Sequence, residues 1–156
     1  MLDLTLPGRG PFKLEHVVFD VNGTLAKDGQ LLERLVRPVT ALKGTFTVHL
    51  LTADTYGRQA AIDQQLGLRA TRLQPGNEAE QKAAYVRALS AEKVIAIGQG
   101  ANDAAMLKEA ALGIAVLGEE GLAVSALLNA DIVCPSIYAA LDLLNFPTRL
   151  IATLRQ

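Results

Sequence analysis

The chain has 156 residues, a formal net charge of −1, and 50% hydrophobic against 20% charged residues. This balance predicts one packed domain over residues 1–156, and the scattered basic residues exclude a nucleic-acid stripe or a membrane-surface patch. No apolar run is long enough to span a bilayer, and the single cysteine, Cys134, cannot form an internal disulfide, so we expect a cytoplasmic protein with Cys134 in its core.

The first half of the chain alternates apolar strand patterns with helical ones. In chain order it predicts paired strands over 2–6 and 13–20, a hairpin at Asp28-Gly29, a short helix with Pro38 in its first turn that ends at Gly44, a strand over 45–52, a helix over 55–67 and a weaker strand over 68–73.

The second half continues the alternation, which predicts a mainly parallel sheet with helices on both faces, the α/β class. Its elements are a helix over 77–89 with Asn77 as cap and Glu80 at capping-box spacing, a strand over 93–98, a helix over 102–110, a strand over 112–118, a helix over 119–129, a strand over 131–134 and two helical pieces around Pro147.

Polar side chains follow four of the central strands. The carboxyl ends of parallel strands meet at one edge of a sheet, where α/β proteins form ligand sites, so we expect these side chains to share one pocket. In order along the chain they are Asp20, Thr52, Lys82 and the group Gln99, Asn102 and Asp103.

This combination is typical of phosphoryl transfer through a covalent carboxylate intermediate. A carboxylate such as Asp20 can attack phosphorus only where positive charge offsets the repulsion between two anions. Lys82 supplies part of that charge, and a Mg²⁺ ion held between Asp20, Asp103 and a backbone carbonyl would supply the rest. The Thr52 hydroxyl and neighbouring backbone N–H groups would hold the phosphate oxygens.

Four segments carry a family resemblance: DVNGT at 20–24, LLTAD at 50–54, the lysine of EQKAAYV at 80–86, and GQGANDAAML at 98–107. In this order and at these spacings they resemble the four motifs of the haloacid dehalogenase (HAD) superfamily. The resemblance is greatest to the phosphorylation domain of P-type ATPases and their small soluble relatives without a cap domain. It implies a three-layer Rossmann-like fold and Mg²⁺ as cofactor.

The resemblance also implies roles for individual residues. Asp20 would be the nucleophile that becomes an aspartyl-phosphate, and Lys82 would be the charge-neutralising lysine. Phosphate would be bound by Thr52, Ala53, Gly23 and Asn102, and the metal by Asp20, the Asn22 carbonyl, Gln99 and Asp103.

Asn22 departs from the family pattern. Phosphatases of the superfamily usually have aspartate there, which protonates the leaving group and later activates water. Such acid–base catalysis contributes about 10²–10⁴-fold, and an amide cannot supply it. The loss matters most for poor leaving groups such as alkoxides. Asn22 therefore indicates a weak or specialised phosphatase, or an ATPase-like activity on activated phosphate donors.

Gln99 is a second departure, because relatives carry a Mg²⁺-binding aspartate at this position. Mg²⁺ favours anionic oxygens, so an amide oxygen should weaken its binding. The sequence leaves open whether Gln99 or Asp103 contacts the metal. Asn22 and Gln99 together also fit a different hypothesis, a regulatory module that binds phosphate or a nucleotide without catalysis.

The intervals between the motifs limit the substrate. Cap domains of the superfamily are inserted between the positions of Asp20 and Thr52 or of Thr52 and Lys82, and neither interval has room for one. An open site would take a small phosphorylated substrate with a second copy of the chain as its wall, or meet a large substrate directly. A phospho-acceptor receiver domain is disfavoured, because no acidic pair precedes Asp20.

Other polar residues are interpreted as structural. His16 and His49 fit hydrogen-bonded core histidines better than catalytic ones, because both lie within predicted strands. Asp54 or Thr55 would cap the helix that follows them.

Overall fold

A computed structural model describes residues 1–156. The strands are β1 (Leu2–Leu6), β2 (Gly10–Leu14), β3 (His16–Asp20), β4 (Ala26–Lys27), β5 (Gln30–Leu31), β6 (Thr47–Thr52), β7 (Thr71–Arg72), β8 (Val94–Gly98), β9 (Leu112–Val116) and β10 (Ile132–Cys134). The α-helices are α1 (Val36–Ala41), α2 (Gln59–Leu66), α3 (Glu78–Ala88), α4 (Ala104–Glu109), α5 (Val124–Leu128), α6 (Ile137–Asn145) and α7 (Pro147–Leu154).

Six parallel strands form the central sheet, in the order β10-β9-β8-β3-β6-β7. Every residue of β8 and β9 is buried, as parallel strands covered on both faces require. β3 lies in the middle, paired with β6 on one side and β8 on the other. This arrangement confirms the three-layer Rossmann-like α/β fold.

Each face of the sheet has its own hydrophobic core. The larger cluster has 30 buried residues and includes Phe19 of β3 with residues of α1, α2, α6, α7 and the β1–β2 hairpin. The smaller cluster has 10 buried residues and joins Val18 of β3 to Val86 of α3, Met106 of α4 and Ala126 of α5. Cys134 is buried, as expected. None of the helices is long and apolar enough to cross a membrane.

The segment predicted as one strand over 13–20 is two strands. β2 pairs antiparallel with β1, whereas β3 enters the central sheet. The change occurs at Glu15, whose N–H donates to Lys93 and whose carbonyl accepts from Thr47. Apolar residues occur on both sides of Glu15 and His16, because both strands bury a face, so the sequence pattern resembles one longer strand.

The helix predicted over 55–67 is shorter, and begins at Gln59. Asp54 has a left-handed backbone with φ of 52°, and residues 55–58 form a turn. The Asp54 carboxylate accepts the N–H of Gln59, which confirms its capping role. Gly67 ends the helix with φ of 58°, as predicted.

Asn77 occupies the N-cap position of α3, as predicted, but its side chain makes no capping hydrogen bond. Asn77 has a left-handed backbone, and the turn before α3 is closed instead by the Gln81 amide on Gln74 and Gly76. The helix predicted over 119–129 contains only α5. Residues 118–121 form a tight turn, called here the acidic turn, which Gly118 and Gly121 close through paired backbone hydrogen bonds.

Candidate active site

Asp20 lies at the carboxyl end of β3 and is only 5% exposed. Lys82 Nζ donates to its Oδ1 at 2.7 Å, and the Thr24 hydroxyl donates to its Oδ2 at 3.0 Å. Thr24 occurs in the turn that follows β3, which returns the chain past the strand end. The Asp20 carboxylate is therefore fixed by one cation and one hydroxyl.

Lys82 joins two carboxylates. Its Nζ lies 2.7 Å from Asp20 Oδ1 and 2.7 Å from Asp103 Oδ1, and all three side chains are buried. Lys82 reaches them from the first half of α3, which packs on the sheet through Val86. The structure therefore brings together three residues that are far apart in the chain, at the sheet edge expected from the strand order.

Burial controls the charge of this group. It raises the pKa of Asp20 to about 7; the Asp103 carboxylate adds to the shift and Lys82 opposes it. Burial would lower the pKa of Lys82, but Asp20 and Asp103 outweigh it and raise that pKa above its ordinary value. Lys82 thus stays charged beside two carboxylates. A further cation near Asp20 would favour its ionised, nucleophilic form.

Asp103 is held by a turn that needs small residues. Its Oδ2 accepts the backbone N–H groups of Gln99 and Gly100, each at 2.9 Å, while Oδ1 accepts from Lys82. A Cβ on Gly98 would lie 2.7 Å from Asp103 Cβ and Cγ, so the approach is possible only for glycine. Asp103 thus positions Lys82, and its Oδ1 accepts no hydrogen bond besides the one from Lys82.

The end of β6 offers unused hydrogen-bond donors. The Thr52 hydroxyl oxygen accepts from Asp54 N–H at 2.9 Å and from Asn22 Nδ2 at 3.4 Å, so its own hydrogen is free to donate. The N–H groups of Asn22 and Ala53 make no hydrogen bond within the protein. These donors face the Asp20 end of the sheet, where a phosphoryl group would place its oxygens.

Two residues predicted to bind phosphate are engaged elsewhere. The Gly23 N–H donates to the Ala26 carbonyl at 2.7 Å and closes the turn after β3. Asn102 Nδ2 donates to Glu78 Oε2 at 2.9 Å and ties the turn after β8 to the start of α3. Both residues therefore shape the turns around the site, and their contact with phosphate stays a prediction.

The oxygens beside Asp20 fit a hard divalent cation. Asp20 Oδ2 accepts only from Thr24, the Asn22 main-chain carbonyl accepts no hydrogen bond, and Gln99 Oε1 lies over the Gly23 backbone. No group of three or more His, Cys, Asp or Glu side chains is close enough to hold a metal ion. A cation here would therefore depend on amide and main-chain oxygens together with Asp20, a mixed oxygen set that Mg²⁺ and Ca²⁺ accept.

Sequence reasoning missed Thr24 and Glu78. Thr24 lies inside the DVNGT segment, four residues after Asp20, so its position in the motif was a usable signal. Glu78 had no such signal, because its role depends on Asn102, 24 residues further along the chain.

A cavity of about 450 Å³ opens beside Gly23 and Thr24. It lies between the β4–β5 hairpin and the loops that follow β9 and β10, and Tyr138 and Ser136 form part of its wall. Its volume is in the range of small-molecule sites.

Comparisons with known proteins agree with this geometry. Residues 78–133, which include Lys82 and Asp103, match the family of haloacid dehalogenase-like hydrolases. An uncharacterized protein of Methanocaldococcus jannaschii is 52% identical over 64 residues, or 41% of this chain and 69% of that protein. The chain belongs to the haloacid dehalogenase (HAD) superfamily.

Two further relatives show the range of HAD proteins it resembles. The phospholipid-transporting ATPase tat-1 of Caenorhabditis elegans is 38% identical over 84 residues, which are 52% of this chain and 7% of that protein. The 3-deoxy-D-manno-octulosonate 8-phosphate phosphatase of Moraxella catarrhalis, solved with magnesium, phosphate and KDO, has a TM-score of 0.63 at 17% identity over 91% of this chain and 87% of its own. The latter likeness is one of fold.

Proposed function

We propose that this HAD protein is a Mg²⁺-dependent phosphohydrolase or phosphotransferase that is phosphorylated on Asp20 and acts on activated phosphate donors. The observation that supports it is the buried Lys82 bridge between Asp20 and Asp103, at the strand ends where free donors from Asn22, Thr52 and Ala53 are grouped. Similarity to HAD phosphatases and to a P-type ATPase supports the same chemistry.

The residues divide the work of the transfer. An Asp20 oxygen forms the bond to phosphorus while the bond to the leaving oxygen breaks, and the leaving group departs with that electron pair. Lys82 reduces the repulsion between Asp20 and the phosphoryl oxygens, and the Thr52 hydroxyl with the Ala53 N–H donates to those oxygens. Mg²⁺ bound by Asp20, the Asn22 carbonyl and Gln99 would offset the remaining negative charge.

The side chain of Asn22 determines the preferred donor. Its Nδ2 points to Thr52, and an amide can give a hydrogen bond to the leaving oxygen but not a proton. A leaving group that is stable as an anion, such as a carboxylate or a nucleoside diphosphate, needs no proton. An alkoxide does need one, so phosphomonoesters of sugars or serine should be poor substrates.

The test is incubation with acetyl phosphate, with p-nitrophenyl phosphate and with serine phosphate, each with Mg²⁺ or with EDTA. We expect a hydroxylamine-sensitive phosphoprotein or turnover with the first two donors. Their reaction should be at least about 10²-fold faster than that of serine phosphate, because the site has no group at position 22 that can protonate the serine alkoxide. Asp20→Asn should abolish both signals. No adduct and no turnover, or an Asp20→Asn variant equal to the wild type, would refute the proposal.

A second candidate is a regulatory module that binds phosphate or a nucleotide without turnover. It is favoured by the amides at Asn22 and Gln99, which replace the two carboxylates expected of an active HAD phosphatase. It predicts phosphate binding in calorimetry with no turnover of acetyl phosphate. In that case Asn22→Asp with Gln99→Asp should create activity.

A further inference from the structure

We infer that Glu120, in the acidic turn, supplies the carboxylate ligand of the divalent cation that Gln99 cannot supply. The inference rests on the proposed Mg²⁺-dependent function and specifies which residue of this chain completes the cation site. Glu120 lies outside all four motif segments, on the loop after β9.

The side chains of Gln99 and Glu120 both approach the backbone of Gly23. Gly23 has φ of +82° and follows the free Asn22 carbonyl. A Cβ built on Gly23 would lie 2.6 Å from Gln99 Oε1 and 2.8 Å from Glu120 Oε2. The space above the Gly23 backbone is therefore bordered by an amide oxygen and a carboxylate oxygen, with a main-chain carbonyl directly before it.

Backbone contacts hold the acidic turn in this place. The Gln99 carbonyl accepts the N–H of Ala123 at 2.9 Å, which ties the end of β8 to the segment after the turn. Gln99 Nε2 lies 3.5 Å from the Glu120 carbonyl. A Cβ on Gly118 would lie 3.2 Å from the Gly23 carbonyl, so the turn lies against the loop that follows β3. Glu120 is thus presented by a constrained loop.

The charges in the neighbourhood leave Glu120 available. Glu119 pairs with Lys27, and Asp103 pairs with Lys82. Lys27 also attracts the Glu120 carboxylate through space, but its ammonium donates to Glu119. Glu120 takes part in side-chain hydrogen bonding only through its main-chain carbonyl, so its carboxylate has no hydrogen-bond donor. The Glu120 carboxylate thus lies near the Gln99 amide oxygen and the Asn22 carbonyl with no hydrogen-bond donor among them. A hard cation would stabilise such a group of oxygens.

Glycine at position 23 is part of the same arrangement. Its positive φ is strained for other residues, and a side chain there would fill the space between Gln99 and Glu120. The side chain of Glu120 reaches this space from the loop after β9.

Cation affinity tests the inference without any measurement of activity. We would titrate Mn²⁺ into the protein, read the free Mn²⁺ by electron paramagnetic resonance, and obtain Mg²⁺ affinity by competition. Glu120→Gln should weaken binding at least about tenfold, since loss of a supporting residue alone typically costs 10–100-fold. The matched control, Lys27→Met with Glu119→Gln, removes the neighbouring ion pair without a change of net charge and should stay within about threefold of the wild type.

A rescue variant separates a ligand from a structural effect. Gln99→Asp in the Glu120→Gln background should restore affinity to within about threefold of the wild type, because position 99 then supplies the missing carboxylate. If wild type binds Mn²⁺ and Asp20→Asn does not, but Glu120→Gln binds normally, the inference is wrong and the proposed function stands. If wild type binds no cation, both are wrong. Failure of the rescue in a folded double variant, judged by circular dichroism, also contradicts the inference.

Discussion

Lys82 is the residue on which the site's electrostatics depend. It is buried between Asp20 and Asp103 at 2.7 Å from each, and no other cation contacts either carboxylate. A buried ion pair contributes little net stability when intact, but removal of one partner leaves a charge without compensation. Removal of Lys82 alone should therefore destabilise the protein much more than replacement of all three charged residues by apolar ones.

Lys82→Met should lower the free energy of unfolding by about 3–5 kcal/mol, because two buried carboxylates then lose their only cation and one must take up a proton to stay buried. Urea denaturation at pH 7.5 measures it. Asp103→Asn added to Lys82→Met removes one of those charges and should recover part of the loss. A double variant as destabilised as the sum of the two single variants would contradict this explanation.

The sequence predicted which residues lie at the site better than it predicted the hydrogen bonds that they make there. Asp20, Thr52, Lys82 and Asp103 were found because each follows a strand, and strand ends converge in a parallel sheet. The engagement of Gly23 and Asn102 with Ala26 and Glu78 could not be predicted, because both bonds depend on how distant turns are placed. The same is true of the position of Glu120 over Gly23.

The turn between β8 and α4 is the element that builds the site. β8 ends at Gly98, and Asp103 folds back over it to accept two N–H groups of the same turn. The turn is tied to α3 through Asn102 and to α5 through Ala123. Lys82 and Asp103 therefore belong to one connected layer, which fixes their separation.

Gly98→Ala should destabilise the fold by about 1–3 kcal/mol and impair phosphorylation of Asp20, because the new Cβ would contact Asp103 at 2.7 Å. Unfolding in urea and the acetyl phosphate assay measure the two effects. The control is Gly44→Ala, where nothing lies within 4 Å of the new Cβ. It should match the wild type in both; equal behaviour of the two variants would show that close packing at Gly98 is unimportant.

Elements were predictable where the pattern was local. The strands β8 and β9 and the hairpin at Asp28-Gly29 were confirmed, because an apolar run that is buried on both faces and a pair of turn residues can each be recognised within a few residues. The break at Glu15 was not visible, since it depends on hydrogen bonds to Lys93 and Thr47. The acidic turn was mistaken for helix because its contacts are with the β3 and β8 loops.

The molecule carries one buried and one half-buried group, Asp20 and His49, whose titrations change its stability in opposite directions. Asp20 has a folded pKa of about 7 against 3.8, so the folded protein binds more protons between these values and this contribution falls as pH rises. Burial and His16 lower the pKa of His49 from 6.5 to about 4. That contribution is complete above pH 6.5 and is lost as pH falls towards 4.

His49 lies in the middle of a chain of polar contacts from His16 to Tyr85. Its ring nitrogens lie 3.1 Å from His16 Nδ1 and 3.0 Å from the Tyr85 hydroxyl, which confirms the structural role expected of both histidines. Tyr85 is on α3, three residues after Lys82. The chain of contacts therefore joins β3 and β6 to the helix that carries the lysine.

Substitution of either group should leave a pH dependence of stability that is governed by the other. Relative to the wild type, Asp20→Asn should gain unfolding free energy as pH rises from 4 to 7, by up to a few kcal/mol, since each unit of pKa shift is worth about 1.4 kcal/mol. His49→Gln should lose stability relative to the wild type over the same range, by less because His49 is half-buried. Urea denaturation in EDTA at pH 5, 6 and 7 measures both; slopes of the same sign would contradict the assignment.

The two faces of the sheet have hydrophobic cores of unequal size, which affects how the protein loses structure and activity on heating. Lys82 and Asp103 belong to the layer backed by only 10 buried residues, whereas the opposite layer rests on 30. Regions with less buried apolar surface open at lower free energy than the rest of a fold. On warming, the layer with the smaller hydrophobic core should unfold locally before the rest of the protein, which would move Lys82 away from Asp20. Inactivation would then precede melting, and cooling would reverse it.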